Sequence, residues 1–205
     1  MRVKLCGIND PIAFDNAVDA GADWVGFVFF AKSPRAVTPS VAARLSARHR
    51  GGPGRVGLFV EPTDDAVAAA LDALSLDVLQ LYTAPERAVE LGARFGVPVW
   101  HAASVASAAD LPVARDGLAG WVVESKAPAG SDRPGGNARS FDWTVVQGWQ
   151  PGLPWLLAGG LNPGNVAEAI RISGAKAVDT SSGTESAPGV KDPSLIRAFI
   201  SAARG

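Results

Sequence analysis

Short runs of apolar, β-branched or aromatic residues recur eight times along this sequence: Val3–Cys6, Trp24–Phe29, Arg55–Val60, Val78–Leu81, Val97–His101, Gly120–Glu124, Trp155–Ala158 and Ala177–Asp179. Each run is nearly continuous in apolar residues, the pattern of parallel strands buried on both faces. Alanine-rich stretches with helical spacing lie between them, such as Val67, Ala70, Leu71, Leu74 and Leu195, Ile196, Phe199, Ile200. Eight strand–helix units of about 26 residues each use up the 205 residues with little left over. Strictly alternating units imply a parallel sheet. An open doubly wound sheet usually has fewer strands and carries a GxGxxG turn after the first of them. Here Cys6-Gly7-Ile8-Asn9-Asp10 stands at that place. The expected fold is therefore α/β, a single-domain (β/α)8 TIM barrel spanning residues 1–205.

Helix starts are marked by a capping residue followed by proline at Asp10-Pro11, Thr38-Pro39, Asn162-Pro163 and Asp192-Pro193. The cap side chain accepts from an orphan N–H, and proline has none to leave unpaired. Gly21 and Gly174 are placed to close helices. The segment Ala127–Asn137, rich in Gly, Pro and Ala, is long for a βα connection and reads as a binding loop or lid.

The composition is that of a globular chain, 47% hydrophobic and 19% charged. Nineteen basic against 20 acidic residues give a net charge of −1, so neither nucleic acid nor a membrane surface is expected as a partner. Cys6 is the one cysteine; no intrachain disulfide can form, which suits a reducing cytoplasm. No signal peptide is visible, and apolar runs such as Trp24–Phe30 are far too short to span a bilayer.

A barrel of this kind does its chemistry where strands end and βα loops begin. The polar residues at those places are Cys6, Ser33, Arg35, Glu61, Tyr82, His101, Glu124, Lys126, Asp179, Ser181 and Ser182. The seventh and eighth loops, Ala158-Gly159-Gly160-Leu161-Asn162-Pro163 and Asp179-Thr180-Ser181-Ser182-Gly183, let backbone N–H groups approach a phosphate closely. The plainer role for Gly159 and Gly160 is a tight turn. Cys6 is either a small buried hydrophobe or, with Lys4 on the same strand face, a thiol whose pKa a cation depresses. Arg35 is either solvated or a fork for a carboxylate or phosphate. Glu124, ending the apolar run Trp121-Val122-Val123, is either an acid with raised pKa or the partner of Lys126 or another lysine. His101 alone says little, and no cluster has metal-ligand spacing.

These residues stand in an order that resembles the phosphoribosylanthranilate isomerases. The matching stretches are Lys4-Leu5-Cys6-Gly7-Ile8; Gly21 to Phe29 with Ser33-Pro34-Arg35; Val56 to Val60; Leu79-Gln80-Leu81; Gly135-Gly136 with Phe141-Asp142-Trp143; Ala158 to Pro163; and Val178 to Glu185 with Pro188 to Asp192. The resemblance implies an Amadori rearrangement of N-(5′-phosphoribosyl)anthranilate to 1-(2-carboxyphenylamino)-1-deoxyribulose 5-phosphate, in tryptophan biosynthesis. It implies Cys6 as general base and Glu124 as general acid. Arg35 would take the anthranilate carboxylate, with Asp179 and Gln80 also on substrate. The phosphate would lie on Gly159, Gly160, Ser181, Ser182, Gly183 and Gly136. No metal or organic cofactor is implied, and the chain would act as a monomer or homodimer on a phosphorylated aminoribose. Three positions depart from the family pattern. Glu124 stands where an aspartate is usual, Tyr82 where histidine is frequent, and Asn137 to Ser140 differ from the usual sixth loop. The alternatives are the related isomerase of histidine biosynthesis, which has a carboxylate where Cys6 stands, and a sugar-phosphate-binding barrel that is inactive or shifted in substrate.

Overall fold

The computed structural model describes residues 1–126 and 142–205. Eight parallel strands form a closed barrel in sequence order: β1 Arg2–Cys6, β2 Trp24–Val28, β3 Gly54–Val60, β4 Val78–Tyr82, β5 Val99–Val105, β6 Gly120–Ser125, β7 Trp155–Leu157 and β8 Ala177–Thr180. The first and last strands pair, with Lys4 opposite Asp179, which closes the cylinder. All eight expected runs are strands. The largest boundary error is at β5, expected as Val97–His101 and found as Val99–Val105. Pro98 lies between the two starts, and it has no N–H to give to a ladder.

Alternation along the strands sorts the core. Outward-facing Val3, Leu5, Val25, Phe27, Leu79, Leu81, Val123 and Val178 pack under the helices in one cluster. Inward-facing Val56, Val78, Trp100, Val122, Leu156 and Ala177, with Trp24, fill the N-terminal end of the barrel in a second. The Trp24 and Trp100 rings meet edge to face there, centroids 5.0 Å apart. This layer is a packed plug.

The α-helices of the described residues are α1 Pro11–Asp19, α2 Pro39–Ser46, α3 Asp64–Ala73, α4 Pro85–Phe95, α5 Val166–Ser173 and α6 Pro193–Arg204. Asp10, Thr38 and Asp192 cap α1, α2 and α6 as expected, each accepting from a first-turn N–H. Gly174 closes α5 in the left-handed conformation, φ 70°. The Asn162-Pro163 pair does not begin a helix. The Asn162 carboxamide accepts from Gly164 N at 2.8 Å in a local turn, and α5 starts three residues later, behind Asn165. The fifth unit also lacks its expected helix. A single 3₁₀ turn at Ala108–Asp110 follows β5, and Pro112 soon after it blocks continuation. After β6, the described residues resume in another 3₁₀ turn, Trp143–Val146. Among the described residues, no helix is long and apolar enough to cross a membrane.

Candidate active site

Above the apolar plug the inward positions turn polar. Lys4 and Cys6 come from β1, Gln80 and Tyr82 from β4, Glu124 from β6 and Asp179 from β8; each shares strand parity with a plug residue or with a partner one turn of the pleat away. Cys6, Gln80, Tyr82, Glu124 and Asp179 line a cavity that opens at the C-terminal end of the barrel. Arg35, Gly159, Gly160, Ser181 and Ser182 line it as well, with Phe30, Val28, Leu58 and Val60 as its apolar wall.

The charges on its floor are tightly organised. Lys4 is fully buried, and its ammonium donates to Asp179 Oδ1 at 2.9 Å. Burial pulls the Lys4 pKa down, but Asp179 and Cys6 outweigh it, and the group stands above its ordinary value. Burial raises Asp179 above the usual carboxylate range, opposed by Lys4. Cys6 is raised, not depressed: loss of water around the sulfur outweighs the pull of Lys4, and Asp179 adds to the rise. Lys4 does pull the thiol down as a neighbouring cation should, but the loss of water around the buried sulfur is the larger effect.

Glu124 is buried, and among the described residues its Oε1 has no hydrogen-bond partner. Burial raises its pKa to about 8, with the Tyr82 hydroxyl pulling the other way. The raised-pKa alternative for Glu124 therefore holds, not the salt bridge. Gln80 is wholly buried and donates from Nε2 to the Tyr82 hydroxyl at 3.3 Å; among the described residues its Oε1 has no partner. Burial and the charge of Glu124 push the Tyr82 phenol well above its ordinary pKa, so it stays a neutral donor.

Arg35 reaches the cavity rim from the second loop but is not solvated. Its Nε and Nη2 donate to the two carboxylate oxygens of Glu185 at 2.6 and 2.8 Å. Among the described residues two of its five N–H groups are used. Glu185 also accepts from Lys191 at 3.0 Å and from Gly189 N at 3.2 Å. Burial works to raise Glu185, but Arg35 and Lys191 outweigh it and hold the carboxyl below its usual range. Lys191, lowered by its own burial, also donates to Ser181 O at 2.7 Å and so ties the hairpin of β9 (Glu185–Ala187) and β10 (Val190–Lys191) to the eighth loop.

The seventh and eighth loops meet across the rim. Gly159 and Gly160 have φ of 85° and 65°, a left-handed pair that favours glycine. Among the described residues, none accepts a hydrogen bond from their N–H groups, so both donors are open to a ligand. Thr180 Oγ1 donates to Leu161 O at 2.7 Å, and Ser181 Oγ to Cys6 O at 3.2 Å. Gly183 opens against the seventh loop so closely that a Cβ there would stand 1.9 Å from Leu161 O.

The family model for N-(5′-phosphoribosyl)anthranilate (PRA) isomerase matches residues 3–202. The chain belongs to this isomerase family. It is 55% identical over 202 residues to N-(5′-phosphoribosyl)anthranilate isomerase of Acidiphilium cryptum, covering 98% of each chain. Among solved structures, TrpF from Jonesia denitrificans aligns with a TM-score of 0.85 at 35% identity, over 100% of this chain and 97% of that one. A phosphoribosyl anthranilate isomerase in complex with reduced 1-(o-carboxyphenylamino)-1-deoxyribulose 5-phosphate aligns at 0.83 and 32%, covering 100% and 99%.

Within this isomerase-family barrel, most of the residues singled out from sequence face one cavity: Cys6, Arg35, Gln80, Glu124, Asp179, Gly159, Gly160, Ser181 and Ser182. Gly183 is adjacent, in the turn that supports the eighth loop. Gly136 and the Ala127–Asn137 loop lie outside the described residues. His101 is elsewhere: it faces outward from β5, its Nε2 paired with Thr83 O at 2.8 Å and its ring edge-on to Trp121. Among the described residues, no three potential metal ligands cluster. The sequence reading missed Glu185 and Lys191 as supports of Arg35. A weak signal existed: both flank the glycine turn that follows the phosphate-type loop.

The closeness of Gly183 to Leu161 gives a direct test of the two-loop junction. In Gly183→Ala, the added methyl must push the seventh and eighth loops apart. A misplacement of about 1 Å in positioning groups can cost on the order of 100-fold. The loss is expected in kcat/KM, with tighter dependence on substrate phosphate than on the aromatic ring. Steady-state kinetics and titration with inorganic phosphate measure it; unchanged affinity for both ligands would count against the junction as the anion site.

Proposed function

We propose that the chain converts N-(5′-phosphoribosyl)anthranilate into 1-(2-carboxyphenylamino)-1-deoxyribulose 5-phosphate by acid–base catalysis. What supports it most is one arrangement: a buried carboxyl with pKa about 8 and a thiol lining the same cavity, under glycine loops with open N–H donors. Glu124 gives its proton to the furanose ring oxygen as the C1′–O bond breaks, leaving a protonated Schiff base. The Cys6 thiolate then takes the C2′ proton, and that electron pair forms the C1′–C2′ double bond of an enolamine. The enolamine gains a proton at C1′ and gives up the one on the 2′-hydroxyl, which yields the ketone. Proton exchange returns Glu124 and Cys6 to their starting states, so the reaction is a net isomerisation without an external oxidant.

The remaining donors have matching tasks. The N–H groups of Arg35 that Glu185 does not engage suit the anthranilate carboxylate. Asp179 and the Gln80 Oε1 suit substrate hydroxyls or the amine. Gly159, Gly160, Ser181 and Ser182 offer backbone N–H groups to the phosphate. A single uncrosslinked thiol as base fits a reducing, cytoplasmic setting. Its expected partner is this small molecule.

The deciding experiment generates the substrate in situ from anthranilate and phosphoribosyl pyrophosphate with the preceding transferase, then follows loss of substrate fluorescence. Turnover well above the rate without the protein is expected; its absence would overturn the reading. The pH profile adds a sharper expectation. The working form needs Glu124 protonated and Cys6 ionised, yet Glu124 titrates near 8 and Cys6 lies above its ordinary 9.0. The active form is then the minor one, and kcat/KM should climb about tenfold per pH unit up to about 8. Above that it should level off, and it should fall only once the thiol itself is fully ionised. A profile already flat through neutral pH would contradict this pairing of acid and base.

A further inference from the structure

We infer that Lys4 is a positioning residue for Cys6, its buried ammonium shared between Asp179 and the sulfur so that the thiolate is held in place once its proton leaves. This rests on the reading of Cys6 as the base. Lys4 and Cys6 are two residues apart on β1 and so project to the same, inner face. Lys4 is 0% exposed, its Nζ 2.9 Å from Asp179 Oδ1. An ammonium has three N–H donors, and the carboxylate accepts one of them.

The space beside β2 brings the sulfur and the ammonium to the same place. A Cβ built on Gly26 would stand 2.9 Å from Cys6 Sγ and 3.3 Å from Lys4 Nζ. Sulfur and nitrogen thus crowd one point against the neighbouring strand, and only glycine leaves room for both. Both groups lie against the same backbone atom of β2, on the inner face of the barrel. A buried ammonium–carboxylate pair adds little net stability, because desolvation offsets its attraction. A second anionic partner that exists only during turnover gives the pair a use.

The other groups facing the sulfur are few. Asp179 comes from β8, Lys191 from the β9–β10 hairpin and the neutral phenol of Tyr82 from β4. β2 and β3 present Gly26, Val28 and Leu58, none of which titrates. Lys4 is the cation with the largest pull on the thiol, ahead of Lys191.

Cys6 is the only cysteine of the chain, so alkylation of the intact folded protein reports on it alone. The test is the rate of iodoacetamide alkylation against pH, followed by mass spectrometry, for the native chain, Lys4→Met and Lys4→Arg. The half-point should move up by one unit or more in Lys4→Met, slowing alkylation at neutral pH about tenfold per unit. It should stay near the native value in Lys4→Arg, which keeps the charge. Wherever turnover is measurable, the kcat/KM profile should shift in the same direction. If Lys4→Met does not fold, Lys4→Gln, which can still donate to Asp179, makes the same comparison. A half-point unmoved or lowered in the neutral variants would overturn the proposal, as would Lys4→Arg behaving like Lys4→Met. Absence of native turnover would instead strike the isomerase reading and leave the alkylation result standing.

Discussion

Cys6→Ala should lower kcat by about 10²- to 10⁴-fold, the usual contribution of a positioned base. The change removes one sulfur atom from a site where the residue is nearly buried, and alanine fits the space without strain. Folding and ligand affinity should therefore survive. The other potential bases on the cavity wall are engaged or neutral: Asp179 is bonded to Lys4, and Tyr82 is held far from ionisation. Steady-state fluorescence gives kcat, and calorimetric titration with a reduced product analogue gives affinity. A kcat within tenfold of the native value, with affinity intact, would move the base to another residue, with Asp179 first in line.

Glu124→Gln should separate activity from stability. Loss of the acid is expected to cost about 10²- to 10⁴-fold in kcat. Stability should move the other way. The carboxyl is buried, with one oxygen unpaired among the described residues, and holds its proton up to about pH 8 in the folded chain. The unfolded chain gives that proton up from its ordinary 4.5 onward. Between those two values the unfolded state binds fewer protons, so native stability falls as pH rises, by about 1.4 kcal/mol per unit. The penalty is absent at acid pH and complete above about 8. Glutamine cannot ionise, so the variant should unfold at nearly the native temperature in acid and at a clearly higher one in mild alkali. Calorimetric melting at a series of pH values measures this. A gap between variant and native that stays constant with pH would show that Glu124 is ionised in the folded chain.

The inward residues could be placed from sequence because strand parity is strict: once Cys6 faces the barrel interior, so must Lys4. Glu124 follows by the same rule from Val122, and Gln80 from Val78. The positions of Cys6 and Glu124 at strand ends were readable, since nearly every strand run was bounded by its own turn. Charge state was not. The direction of the Cys6 shift depends first on how far the closed barrel strips water from the sulfur, and then on Lys4 and Asp179, the latter from the opposite end of the chain. Arg35 shows the same limit, because its contact with Glu185 spans 150 residues that no local pattern encodes. Asn162-Pro163 has the composition of a helix start, yet the carboxamide found a nearer N–H in Gly164. The fifth unit has the length of the others but spends it on a short turn and Pro112.

Lys4 and Asp179 are 175 residues apart, and so are Cys6 and Ser181, whose hydroxyl donates to the Cys6 carbonyl. Cys6 and the eighth loop therefore come together only at the seam where β1 meets β8. A chain made only as far as β7 carries the Lys4 amine and the Cys6 thiol without the Asp179 carboxylate that pairs with the amine in the closed barrel. Without β8 the cylinder lacks the strand that joins β7 to β1, and Lys4 lacks its carboxylate partner. Catalysis is then a report on completion. In a refolding experiment the recovery of turnover times the closing of that seam, whereas the Trp24–Trp100 contact forms among strands that precede it.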